Sequence, residues 1–254
     1  LVPSLQQSVL PFVLSQYHRS LFMMQKDNGE FAPISDDKFI ITRNGAIQTP
    51  VDLDIKRDSY RIIYTSSYDR GLVHLLNIWA DIKKEVPEAN LHIFYGWDLY
   101  DKIMAGNPER AAWKNKVVEM MKQPGIIEHG RVGHEELAKA YMESGIFAYS
   151  CDFQEISCQN AMAAQIYGAI PVVTNYAALK ETVQFGKKVD VDITSKDGKE
   201  KYKQELIIAL KDHKWQEEVR KQMVEADKSN MTWESVAKEW KELFDSKTKK
   251  VSEK

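Results

Sequence analysis

Glu155 stands in a short polar turn, Ser150 to Glu155, between two different kinds of sequence. Before it, Ile146-Phe147-Ala148-Tyr149 reads as the end of a buried strand; after it comes the small-residue run AMAAQ. Ser157 stands where a helix N-cap belongs, so the pattern predicts a helix starting beside it. Gly168 ends that helix and Pro171-Val172-Val173 opens another strand. The chemistry this pattern allows is anion binding. Free amides around Ser157, Cys158 and Gln159, at the carboxyl end of a strand, suit a group such as a diphosphate.

Such a turn needs a parallel sheet beneath it, and the rest of the chain supplies the pattern of one. PFVL at 11–14 reads as a strand, Ser15 caps a helix through QYHRSLFMM, residues 31–36 form a loop, and KFIIT at 38–42 is a second strand. Arg43-Asn44-Gly45 is a turn signal, and residues 46–60 read as a connector. From Tyr60 strands and helices alternate. RIIYTS is a strand; 72–86 carries an apolar stripe at helical spacing; LHIFY at 91–95 is a strand; 108–123 is amphipathic. A strand at 126–129, a glycine-framed turn at 130–133 and a helix at 134–143 lead into the Glu155 unit. Beyond Val183 come a strand near 189–193, helices at 200–212, 214–227 and 232–244, and a solvated tail at 246–254. Alternation from 60 to 193 predicts an α/β fold with a doubly wound parallel sheet.

At 254 residues the chain can bury a sizeable core, and 43% apolar with 28% charged residues is ordinary for a soluble domain. A net charge of −2 gives no electrostatic reason to expect nucleic acid as a partner. Cys151 and Cys158 share one turn and cannot form a disulfide framework, so the expected setting is reducing and cytoplasmic. The 6 histidines lack metal-ligand spacing, so no metal is expected. The apolar start, broken by Gln6, Gln7 and two prolines, is neither a signal peptide nor a membrane span, and membrane association is not indicated. Without an initiating Met, the chain is expected to begin inside a longer protein.

E-x-S-C at 155–158, A-Q-x-x-G-x-x-P-V-V at 164–173 and N-Y-A-A-L-K-E-T at 175–182 together resemble retaining glycosyltransferases of the GT-B fold. More narrowly, they resemble the group called family 4, which uses nucleotide-activated sugars. The S-S-x-D-R-G-L turn at 66–72, the F-Y-G-W turn at 94–97 and the R-N-G link at 43–45 are similar too. The resemblance covers roughly residues 10–245 and is most specific over 145–183.

This resemblance implies two facing Rossmann-like domains. Residues 1–48 would be the βαβ tail of an amino-terminal acceptor domain plus the link, 49–230 the nucleotide-sugar domain, and 231–245 a helix packing back toward the first. The implied reaction moves a sugar from a UDP- or GDP-type donor to a glycan or other hydroxyl acceptor, with no further cofactor. Arg70 would contact the diphosphate; Glu155, which bound phosphates would repel, would reach sugar hydroxyls. Ser67, Gly71, Tyr95, Gly96, Arg131, Val132, Ser157, Cys158, Gln159 and Glu181 would line the donor.

The sequence departs from the family twice. Ala163 replaces the second Glu of an E-x-x-x-x-x-x-x-E pattern, and an alanine cannot accept hydrogen bonds from a ribose. Thr65 replaces the Arg of an R-x-x-x-x-K phosphate clamp, leaving Arg70 as its cation. A transferase-like scaffold without turnover and a nucleotide-sugar 2-epimerase of the same fold are the alternatives. A dinucleotide dehydrogenase is disfavoured, because no G-x-G-x-x-G follows a strand.

Overall fold

The computed structural model describes residues 11–23, 38–46, 50–52, 54–226 and 231–252, with side chains described as far as 246. The expected loop at 31–36, Met24 at the end of the first expected helix, and link residues 47–49 lie outside these. The first unit is β1 (Phe12–Val13), α1 (Gln16–Met23) and β2 (Ile40–Ile41), with β1 and β2 parallel and Phe12 opposite Ile40. Ser15 accepts the amide of His18 at 2.9 Å, the cap its sequence position predicts.

The main sheet has six strands: β3 (Asp58–Tyr64), β4 (Asn90–Phe94), β5 (Ile126–Gly130), β6 (Ser144–Tyr149), β7 (Ile170–Thr174) and β8 (Lys187–Val189). Their spatial order is β5-β4-β3-β6-β7-β8 and every pairing is parallel. Helices connect them: α2 (Leu72–Glu85), α3 (Asp98–Ile103), α4 (Pro108–Met120), α5 (His134–Glu143), α6 (Gln159–Tyr167) and α7 (Leu179–Thr182). The interior strands β6 and β7 are buried along their whole length, which is why they read as unbroken apolar runs rather than alternating ones. This is the doubly wound α/β sheet the sequence predicts. Three helices follow, α8 (Lys196–Lys211), α9 (His213–Glu225) and α10 (Trp233–Ser252).

The structure departs from the expected elements at the last strand, after Trp97 and at the closing helix. The last strand lies at 187–189 rather than 189–193: Val172 pairs with Lys187 and Thr174 with Val189, and this edge strand tolerates lysines. Helix α3, unmarked by any long apolar stripe, forms directly after the Trp97 turn. The closing helix continues to Ser252, through part of the expected tail. No helix among the described residues is long and apolar enough to cross a membrane.

The first unit is held to the rest by α10 and the link. Ala46 donates its amide to Met231 O at 2.7 Å, and Trp240 donates its indole N–H to Thr42 Oγ1 at 2.6 Å. Arg43 pairs with Glu239, and the rings of Trp240 and Phe244 lie 5.6 and 6.1 Å from Phe12.

Adjacent strands β4 and β5 bring His92 Nδ1 within 2.9 Å of His129 Nε2, a contact that requires at least one neutral ring. Burial first, then Arg61 and His129, push His92 down to about 4. Its folded value lies below its unfolded one, so the fold binds fewer protons between the two. The stability it contributes is present above about pH 6.5 and is lost as pH falls toward about 4. Urea midpoints are therefore expected to drop from pH 7 to pH 5, and to drop less in His92→Gln. An equal drop in the variant would assign the effect elsewhere.

Candidate functional site

The order of the main sheet reverses between β3 and β6, and an open α/β sheet offers its crevice at the carboxyl ends of those two strands. Two turns meet there, 65–71 after β3 and 150–158 after β6. Gly71 lets them touch. Its φ is +107°, and a Cβ there would stand 2.1 Å from Ser150 O. Ser150 Oγ also donates to Gly71 O at 2.9 Å.

This contact brings Arg70 and Glu155 together. Arg70 donates to Glu155 Oε1 at 3.1 Å, and the Tyr149 hydroxyl donates to the same oxygen at 2.7 Å. Ser66 Oγ lies 3.1 Å from the Tyr149 hydroxyl, closing the chain of contacts back onto the first turn. The Glu155 side chain is 8% exposed and that of Arg70 37%, so the carboxylate anchors a cation that still faces solvent. The guanidinium lies 4.2 Å from the centre of the Phe153 ring, which is itself exposed. Burial pulls Arg70 down, but Glu155 and Tyr149 outweigh it and hold the guanidinium above its usual range. Both bonds fall on the same Glu155 oxygen, Oε1.

Helix α6 starts one residue later than predicted. Its N-cap is Cys158, not Ser157, and no side-chain oxygen caps it. Ser157 Oγ is buried and has no partner among the described residues, a state that costs about 1–3 kcal/mol in an otherwise satisfied interior. Both cysteines are buried and free; burial pushes the Cys151 thiol up to about 12 and raises Cys158 as well, so neither is poised as a nucleophile. Gln159 turns toward the link and donates to Gly45 O at 3.2 Å.

Thr65 is buried, with Oγ1 2.6 Å from the Tyr141 hydroxyl and its carbonyl bonded by Asn160 Nδ2 at 3.1 Å. Its hydroxyl is spent on an internal hydrogen bond, and it supplies no cation. Ala163 lines a cavity of about 160 Å³ between α5 and α6, together with His134, Gln159 and Asn160 and closed by Trp233.

The outer expected residues are spread along the same edge of the sheet. Tyr95 has φ +146° and Ala177 φ +48°, two non-glycine residues in strained backbone at the ends of β4 and β7. The Gly96 amide bonds the Tyr68 hydroxyl at 3.0 Å, and that hydroxyl donates to Glu128 at 2.7 Å. Arg131 is exposed beside Gly96 and has no ion pair among the described residues, while Val132 packs on the core. Ser67 Oγ is taken by Asp69 at 2.6 Å. Glu181 is elsewhere engaged. Its two oxygens accept the amides of Gln16 and Tyr17 at 2.9 and 2.8 Å, so it caps α1 across the two units. Sequence reasoning missed Tyr149, Phe153 and Tyr68 as members of the site; only their position at a strand end or in a turn marks them.

The chain matches no family model and no curated protein. Solved structures do match its fold. The pneumococcal O-GlcNAc transferase GtfA, in complex with UDP and GlcNAc, superposes with a TM-score of 0.67 at 14% identity, covering 96% of this chain and 46% of that one. Anabaena Alr3699/HepE, in complex with UDP and glucose, gives 0.71 at 10% identity, covering 96% and 65%. The chain has the Rossmann-like fold of GT-B glycosyltransferases. Sucrose-phosphate synthase from Thermosynechococcus elongatus gives 0.64 at 15% identity, covering 92% and 57%. The chain therefore spans about half the length of GtfA, at 46%. At these identities the GT-B likeness is one of architecture.

Proposed function

We propose that this chain is the donor-binding part of a GT-B glycosyltransferase that moves a sugar from a UDP- or GDP-type nucleotide to a hydroxyl acceptor with retention. The observation that carries it is the Arg70–Glu155 pair at the switch point, beside the uncapped start of α6. Arg70 and the amides from Ser157 to Gln159 stabilise the diphosphate as it leaves. Glu155 holds Arg70 in place through Oε1 and meets the transferred sugar through Oε2. Residues 1–48 then close an acceptor domain, 49–230 hold the donor, and 231–245 pack back on the first. The UDP complexes of GtfA and HepE support the donor class.

A scaffold without turnover is the second reading, favoured by the uncharged Thr65 and by Ala163. Calorimetric titration with UDP and GDP tests donor binding; absence of binding to both overturns it. In the same titration Ala163→Glu is expected to tighten binding by about 1.5–3 kcal/mol, the worth of one hydrogen bond to a charged group. Turnover of a nucleotide sugar by the full-length protein separates enzyme from scaffold.

A further inference from the structure

Tyr95, directly after β4, holds a backbone conformation that a bulky residue rarely adopts, with φ +146°. Its neighbours fix it there. The Tyr95 amide donates to Gly130 O at 2.9 Å, and the Gly96 amide donates to the Tyr68 hydroxyl at 3.0 Å. The Gly96 turn is tight as well, since a Cβ on it would stand 3.0 Å from the Arg131 amide nitrogen. Strain maintained at the carboxyl edge of an open sheet marks a side chain whose direction matters. That direction is toward Arg70. The Tyr95 ring lies 6.2 Å from the ring of Tyr68, which stands two residues before Arg70 in the turn after β3. Against burial, Glu155, Tyr149 and then Tyr95 raise the Arg70 guanidinium, so the Tyr95 phenol shares its surroundings. Tyr149 spends its hydroxyl on Glu155, and Tyr68 spends its own on Glu128. The half-buried Tyr95 has no hydrogen-bond partner for its hydroxyl among the described residues.

We propose that the Tyr95 hydroxyl is a second phosphate ligand beside Arg70, donating a hydrogen bond to an oxygen of the diphosphate that Arg70 binds. A phenol donates to a phosphate oxygen without bringing a charge of its own. It therefore adds to a clamp in which Thr65 supplies no cation. A ring that only stacked on a base or a sugar would make no use of the hydroxyl, and a phenylalanine would serve there equally. The diphosphate as ligand rests on the proposed function; a phosphate site formed by Arg70 and Tyr95 stands without the nucleoside.

The test uses the full chain with Tyr95→Phe, which removes one oxygen and keeps the ring. Calorimetry compares UDP and GDP with their monophosphates and nucleosides, and with inorganic pyrophosphate. Tyr95→Phe is expected to weaken the diphosphates and pyrophosphate about tenfold, the lower end for a hydrogen bond to a charged group, and to leave nucleoside binding unchanged. Tm is expected to match wild type, because the hydroxyl bonds nothing among the described residues. An equal loss for monophosphate and diphosphate places the hydroxyl on the α-phosphate, and a loss for the diphosphate alone places it on the β-phosphate. Either outcome upholds the proposal. Unchanged diphosphate affinity overturns it and leaves Tyr95 as a ring, and a fall in Tm with an equal loss for every ligand overturns it as a structural effect. If neither UDP nor GDP binds, the donor reading fails alone. Pyrophosphate binding weakened by Tyr95→Phe would then still uphold the phosphate ligand, and absence of pyrophosphate binding as well would overturn it.

Discussion

Arg70→Ala is expected to weaken UDP or GDP binding by about 3 kcal/mol, roughly a hundredfold, which is the scale of a charged hydrogen bond lost from a diphosphate clamp. The size of the effect follows from the thinness of the clamp. Thr65 contributes a hydroxyl that is spent on Tyr141, so the fixed cation in these two turns is Arg70. Its bond to Glu155 is 3.1 Å, longer than the 2.7–2.9 Å usual for N⁺–H···O⁻ contacts, and the side chain keeps 37% exposure. A diphosphate can share the guanidinium without first breaking a buried pair. Arg70→Lys keeps the charge and loses the fork, so an intermediate loss is expected. Glu155→Gln retains an acceptor for Tyr149 and releases the guanidinium, so nucleoside diphosphate affinity should hold while the affinity added by the sugar falls. Calorimetry reads all three; wild-type affinity in Arg70→Ala would remove Arg70 from the site.

The second large effect is on stability. Gly71→Ala should cost at least about 3 kcal/mol, combining a backbone conformation hostile to L-residues with overpacking against a carbonyl. The added methyl would meet Ser150 O at 2.1 Å, and backbone cannot yield as the end of a side chain can. For a domain of this size that is roughly a 10 °C fall in Tm. The same displacement parts the two turns, so ligand affinity should fall with it. A variant with wild-type Tm would show that the two turns can separate freely.

The strands of the main sheet were legible because burial on both faces forces unbroken apolar runs such as IIY and GIFAY, and a parallel order follows from their alternation with helices. Gly168 was legible as a helix stop because αL backbone favours glycine. The cap of α6 was not. Ser157 has the better side chain, but the turn brings Cys158 to the cap and leaves the Ser157 hydroxyl in the interface between units. The pairing of Arg70 with Glu155 joins residues 85 apart, and no local pattern encodes it. Glu181 shows the same limit: its bonds reach the other unit, and nothing in the local sequence marks that.

Those Glu181 bonds also set an order of assembly. Helix α1 has 8 residues, too few to persist alone, and two of its first amides wait for a carboxylate 165 positions downstream. At synthesis rates of about 5–20 residues per second, that partner follows roughly 8–33 s later. The segment made earlier on the ribosome is thus completed late, by helix α7 at the far side of the main sheet.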